Sequence, residues 1–271
     1  MTAIAVKATE HETVRPHAAA PRVPLSRITR IELRKMFDTR SGFWLMASIG
    51  ITAVIATAAI ILFAADDDLT YIAFGSAVGF PMAVILPMIA ALAVTSEWSQ
   101  RSGLTTFTLV PHRGRVILAK GLASTAVGLA SIPLALAIGA VGNVVGTAIA
   151  GTDPVWDITV VDTLYLMLGN VLGLLIGFML GVLIRNSAGA IVAYFVYSLV
   201  LPSLAELLAA NQQWFVDIRG WVDVNYAQSF LFGFDGSLTG EQWAHVGVTH
   251  LIWLVLPLLV GLKLMLRSEI K

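Results

Sequence analysis

Cysteine is absent from the chain of 271 residues, and charged residues make up only 13% of it. The first absence excludes disulfide bonds and thiolate metal ligands. The second excludes an ordinary soluble domain, in which about 25% of the residues are charged. The five histidines are not spaced with carboxylates as metal ligands would be, and no Gly-x-Ser-x-Gly elbow occurs. The sequence therefore predicts a membrane protein that is not an enzyme and binds no cofactor or metal itself.

Six long apolar runs, separated by polar connections, dominate what is present. They occupy residues 42–64, 71–94, 116–149, 161–184, 188–210 and 244–266. A helix needs roughly 20 apolar residues to cross the hydrocarbon core. Thr159 with Asp162 and Thr239 with Gln242 have the spacing of capping boxes before the fourth and sixth runs. The pattern predicts an all-α integral membrane protein with six transmembrane helices.

Lysine and arginine lie almost entirely on alternate connections. All but one of the 17 precede residue 41, fall within 95–120, stand at Arg185 or follow residue 262, and the exception is Arg219. Connections rich in these residues stay cytoplasmic. We therefore predict a multi-pass protein of the plasma membrane with both termini in the cytoplasm.

The segment before the first run divides into two parts. Residues 1–24 are rich in alanine and proline and are predicted to be a disordered cytoplasmic tail. Residues 25–40 are predicted to be an amphipathic interfacial helix that lies in the headgroup layer. Its basic stripe consists of Arg27, Arg30 and Arg34. This stripe either anchors the chain to anionic lipid or also contacts a cytoplasmic partner, and residues 41–271 form the six-span domain.

The longest predicted cytoplasmic connection, residues 95–115, carries the strongest functional signal. An apolar and hydroxyl-bearing run begins at Thr105 and ends at Pro111. The motif comprises Glu97, Trp98, Thr106, Thr108, Leu109, Val110, Pro111 and Arg113. In this motif the chain resembles the permease subunits of type-2 ATP-binding-cassette exporters. The six runs and the basic helix extend the resemblance over about residues 25–271.

The resemblance implies that the connection is a coupling loop that docks onto a separate cytosolic ATPase. The implied coupling residues are Glu97, Trp98, Arg101, Thr106, Phe107, Leu109, Pro111 and Arg113. It also implies a dimer with a second permease copy, ATP and magnesium bound by the partner subunit, and outward transport. The residues by themselves also allow a membrane-interface loop, in which Trp98 lies at headgroup depth and the arginines only enforce topology.

A phosphate-binding loop is suggested by residues 114–121, but the pattern fails. Ala119 stands where the second glycine belongs, and Gly121 stands where the magnesium-binding hydroxyl belongs. We therefore expect ATP hydrolysis on a separate chain. Membrane lipid is a further expected partner, and nucleic acid is not.

Two features of the later runs bear on packing and pathway. Small residues at four-residue spacing let helices approach closely, and here they are Gly169, Gly173, Gly177 and Gly181. They favour packing within the chain or, alternatively, a homodimer seam. Glu206 begins a predicted extracellular interfacial segment, residues 203–243, and either faces headgroups and water or lines an exit pathway.

Two other functional classes stay open at this stage. A membrane anchor or assembly subunit that transports nothing fits the same composition. A self-sufficient, ion-coupled secondary transporter needs ionisable residues at mid-membrane and favours inverted repeats. Acidic residues are nearly absent from the middle of the runs, and no clear repeat is visible. The sequence favours the exporter subunit over both.

Overall fold

The computed structural model describes residues 23–38, 40–99, 113–234 and 236–267. Nearly all of these residues are helical, and in the described ranges the only β pairing is an isolated bridge between Thr70 and Val155. The helices are α1 (Leu25–Asp38), α2 (Arg40–Phe63), α3 (Tyr71–Ser99), α4 (Arg113–Ala150), α5 (Val160–Ile184), α6 (Ser187–Phe195), α7 (Leu201–Asn211), α8 (Gln213–Val222), α9 (Val224–Ser229), α10 (Gly240–His250) and α11 (Leu256–Arg267). The π-helical segments Val196–Val200 and Leu251–Val255 join α6 to α7 and α10 to α11.

Six helical stretches are long and apolar enough to cross a membrane. They are Gly42–Phe63, Tyr71–Ser96, Arg113–Ala150, Val160–Ile184, Ser187–Asn211 and Gly240–Arg267. The predicted all-α architecture with six such helices is confirmed, and the chain has the form of a multi-pass membrane protein. The side of the membrane on which each terminus lies stays a prediction. The predicted tail, residues 1–24, lies outside the described residues except for its last two.

Helix α3 forms the centre of the bundle. It contacts α2, α4, α5 and α6. Its side chains at four-residue spacing are almost fully buried, namely Phe74, Val78, Met82, Leu86, Ala90 and Val94. Because residues i and i+4 share one helix face, this stripe runs the length of α3 as a continuous core. The stretches Gly42–Phe63 and Ser187–Asn211 are mostly exposed and form part of the outer apolar surface.

A proline inside α3 is stabilised by a neighbouring helix. Pro87 has no backbone N–H, so the carbonyl of Ala83 cannot receive the usual helical hydrogen bond. The hydroxyl of Tyr194, on α6, donates to that carbonyl at 2.7 Å. The proline is thus compatible with a helix in lipid because another span satisfies the exposed acceptor.

Both predicted capping boxes are confirmed. The Thr159 hydroxyl accepts from the amide of Asp162, and the Asp162 carboxylate accepts from the Thr159 amide. Thr239 and Gln242 make the same reciprocal pair before α10. These bonds satisfy amides that the first turn of a helix leaves without partners.

The bundle has two ends, which we name by the helices that lie there. The α1 end carries α1, the last turn of α3 and the first turns of α4, and the α8 end carries α8 and α9. Helix α4 has 38 residues. It is therefore about 57 Å long and exceeds the hydrocarbon thickness of roughly 30 Å. Near the α8 end the amide of its Asn143 donates to the carbonyl of Val155 at 2.9 Å, which explains a polar residue in the third run.

Candidate functional site

Helix α1 is docked onto the bundle by one narrow face. It contacts α4 and α2, and Ile28, Glu32 and Met36 are its buried residues. These three positions follow each other at four-residue spacing and therefore share a face. A glutamate in the middle of a buried stripe is expensive unless a cation pairs with it.

The cation is Lys120, which projects from the second turn of α4. Its Nζ lies 2.5 Å from Oε2 of Glu32, and the two side chains are only 2% and 5% exposed. Lys35 donates to the other carboxylate oxygen at 2.6 Å, but its side chain is 46% exposed. Glu32 therefore accepts from two lysines, one inside the bundle and one at its surface. The buried pair fixes α1 to α4 at a defined position.

A second bond holds the residues just before α1. The Arg115 guanidinium donates through Nη2 to the carbonyl of Val23 at 2.7 Å. Gly114, one residue earlier on α4, faces Leu266 near the end of α11. The first two turns of α4 thus contact both the beginning of the described chain and its end.

The last turns of α3 are held by a buried hydroxyl pair. Thr95 is completely buried and donates to the carbonyl of Ala91 at 3.0 Å. Its oxygen also lies 2.9 Å from the hydroxyl of Ser187, the first residue of α6. A displacement of this end of α3 would therefore carry the start of the fifth span with it.

The predicted coupling loop connects these two fixed helix ends. Arg113 begins α4, and Glu97 and Trp98 lie in the last turn of α3. The side chains of Glu97 and Trp98 lie outside what the structure describes. The remaining predicted coupling residues also lie outside the described ranges, namely Arg101, Thr106, Phe107, Leu109 and Pro111. The structure therefore fixes where the loop starts and ends, and the roles of its residues stay predictions.

Sequence reasoning missed the pair of Glu32 and Lys120. One signal was available, because Glu32 stands on the stripe of Ile28 and Met36, opposite the arginines. The other was the position of Lys120 inside the third apolar run. Each is a single charge on an otherwise apolar helix face, and such residues are rarely buried without a partner.

The glycine stripe of α5 packs within the chain. A Cβ atom at Gly177 would overlap the carbonyl group of Pro87, and one at Gly181 would lie 2.8 Å from the carbonyl oxygen of Ala91. Farther along, Gly169 faces the ring of Phe232 and Gly173 faces Gln228. The closest approach of two backbones is therefore between α3 and α5, and it requires residues without a side chain at 177 and 181.

At the α8 end, Glu206 is bound by the single basic residue of that side. The Arg219 guanidinium on α8 donates to both carboxylate oxygens of Glu206, at 2.5 and 3.2 Å. Its Nε also donates to Asp223 at 3.1 Å, and its carbon lies 4.4 Å from the ring centre of Tyr226. Arg219 is thus the centre of a network that joins the outer part of the fifth span to α8 and α9.

The charge of this centre is secure. The hydrogen bond to Glu206 raises the pKa of Arg219 above its usual range, and Asp223 adds to the effect although partial burial opposes it. The Glu206 side chain is 68% exposed, whereas those of Arg219 and Asp223 are 13% and 7% exposed. An exposed carboxylate held by a nearly buried guanidinium is a contact that water can replace.

We predict that Arg219→Gln loosens this network far more than Glu206→Gln. The glutamate variant loses one exposed ion pair, so amide hydrogen exchange in 212–234 should accelerate less than about fivefold. The arginine variant leaves the buried Asp223 carboxylate without its guanidinium, so exchange should accelerate more than about tenfold. Equal acceleration in the two variants would contradict the central position of Arg219. Exchange in α3 serves as the internal control.

No protein-family model and no curated protein matches this chain.

Proposed function

We propose that this chain is the transmembrane permease subunit of an ATP-driven exporter. A separate cytosolic ATPase binds the 95–115 loop, and two permease copies form the substrate pathway. The six membrane-length helices, the loop motif and the helix before the first span together support this proposal. ATP and magnesium belong to the ATPase, and the proposed location of the loop is the cytoplasmic face of the plasma membrane.

One observation carries the mechanical part of the proposal. The loop joins α3 to α4, and α3 contacts four other helices of the bundle. Thr95 links the end of α3 to Ser187, and Lys120 links the start of α4 to Glu32. A force applied to the loop is thus delivered to the central helix and to two neighbouring elements. A loop between peripheral helices would lack this reach.

Co-purification of the chain with its cytosolic partner tests the proposal directly. We predict that an ATP-hydrolysing polypeptide accompanies the tagged wild-type protein. The double variant Glu97→Lys/Arg113→Glu should retain at least about tenfold less of it, because reversed charges at an interface both lose attraction and create repulsion. Arg40→Glu is the matched control, since Arg40 is exposed on α2 and does not flank the loop.

Other results would assign the chain to a different class. An ATPase that stays bound to the double variant while transport stops would move the coupling contact elsewhere. The absence of any ATPase from the wild-type preparation would favour the anchor or assembly subunit. Solute movement by the isolated chain in liposomes without nucleotide would favour the secondary transporter.

A further inference from the structure

The outward face of α1 is basic, and it lies opposite the face that docks onto the bundle. Arg27, Arg30 and Arg34 are all exposed. Successive residues of an α-helix are separated by about 100°. The three arginines therefore cluster on the side of α1 directly across from Ile28 and Glu32. Docking onto α4 thus leaves the whole arginine stripe available to a ligand.

Exposed apolar side chains flank this stripe. Ile31 is 47% exposed and Phe37 is 46% exposed. Beyond the end of α1, Phe43 and Trp44 are 59% and 65% exposed at the start of α2. Aromatic residues at the end of a membrane-length helix are typical of the headgroup layer. The apolar surface is therefore continuous from α1 to the outer face of the first span.

Chain connectivity sets the depth of α1. Helix α1 ends at Asp38, and the first membrane-length stretch begins at Gly42. A few residues reach at most about 14 Å even when fully extended. The end of α1 must therefore lie within or next to the headgroups of the leaflet in which α2 begins.

Most of the positive charge on the stripe is not neutralised by the protein. Arg34 pairs with Asp38 at 2.8 Å, but the two side chains are 82% and 61% exposed. Such an exposed pair is weak and exchanges readily with other partners. In the part of the chain that the structure describes, Arg27 and Arg30 form no ion pair. A planar guanidinium binds the oxygens of a phosphate group in a two-point geometry.

We propose that the outward face of α1 is a binding site for the phosphate groups of anionic phospholipid. The arginines contact the headgroups, while Ile31 and Phe37 contact the upper acyl chains. Basic segments next to a membrane span attract anionic lipid in this way. The continuity of the stripe with exposed apolar surface favours a lipid over a cytosolic protein. This inference is independent of the proposed transport function and holds equally for an anchor subunit.

Native mass spectrometry of the full chain in neutral detergent tests the site. The probes are phosphatidylglycerol and phosphatidylcholine with identical acyl chains. We expect the wild-type protein to bind phosphatidylglycerol at least about tenfold more tightly. The variant Arg27→Gln/Arg30→Gln should bind it about 30-fold more weakly than the wild type, with phosphatidylcholine binding unchanged.

A control with the same change in charge is available at the same end of the bundle. Lys263 and Arg267 are exposed on α11, so Lys263→Gln/Arg267→Gln removes two charges away from the stripe. This control should change phosphatidylglycerol affinity less than about threefold. Equal binding of the two lipids, or an equal loss in both variants, would overturn the proposal. So would a stripe variant that keeps its lipid but loses a co-purifying polypeptide, because the stripe would then be a protein contact.

Discussion

Replacement of Glu32 by glutamine is expected to destabilise the protein by about 3 kcal/mol. The Glu32 carboxylate lies 2.5 Å from the ammonium group of Lys120, and both side chains are buried. The variant leaves the lysine charge in the bundle without its carboxylate, and loss of one partner of a buried pair typically costs about 3–5 kcal/mol. The measurement is the free energy of unfolding in SDS and mild detergent mixtures.

An exposed glutamate supplies the matched control for this change. Glu241 lies in the first turn of α10 and its side chain is 76% exposed. Glu241→Gln removes the same charge from the same chain, so its effect should stay below about 1 kcal/mol. If Glu32→Gln and Glu241→Gln proved equally mild, the buried pair would not be what fixes α1 to α4.

A double variant separates the cost of an unpaired charge from the value of the pair. Glu32→Leu/Lys120→Met replaces both charged groups by apolar side chains of similar size. Such replacements of buried ion pairs are often neutral or stabilising. We therefore expect the double variant to recover most of the stability that Glu32→Gln loses. Any remaining deficit measures what the surface partner, Lys35, contributes through its contact at 2.6 Å.

The architecture could be predicted because the membrane imposes simple local rules. A helix must satisfy its own backbone in lipid, so an apolar run of sufficient length specifies both its type and its extent. The fifth run, predicted at 188–210, corresponds to the observed stretch Ser187–Asn211. The π-helical segments could not be predicted, since one extra residue in a helical turn leaves no trace in composition.

The contacts of the candidate site were less accessible to sequence reasoning. The contact between Glu32 and Lys120 joins residues 88 positions apart. Its formation depends on how α1 lies across α4, which no local pattern encodes. The same holds for Arg219, which stands out in the sequence only as an isolated base. Its four contacts with Glu206, Asp223 and Tyr226 depend on how α7, α8 and α9 are arranged. Spacing rules identify faces of one helix, whereas partner choice is a property of the assembled bundle.

The glycine stripe is the case in which a spacing rule and the structure can be tested against each other. The rule treats Gly173 and Gly177 as equivalent members of one seam. In the structure they differ, because a Cβ at 177 would lie 2.6 Å from the carbonyl carbon of Pro87, whereas one at 173 would lie 3.4 Å from the Gln228 amide nitrogen. The first neighbour is backbone in the central helix, and the second is the end of a flexible side chain.

Gly177→Ala is therefore expected to destabilise the protein by about 1–3 kcal/mol or more. The added methyl group has no direction in which to move, so α3 and α5 must separate along their contact. Gly173→Ala adds the same methyl group to the same helix, and the higher helix propensity of alanine should make it neutral or stabilising by up to about 1 kcal/mol. Unfolding in SDS of both variants, with circular dichroism to verify helix content, measures the difference. Equal stabilities would show that α3 and α5 are not in close backbone contact at Pro87, and the stripe would then be available for a contact between two copies of the chain.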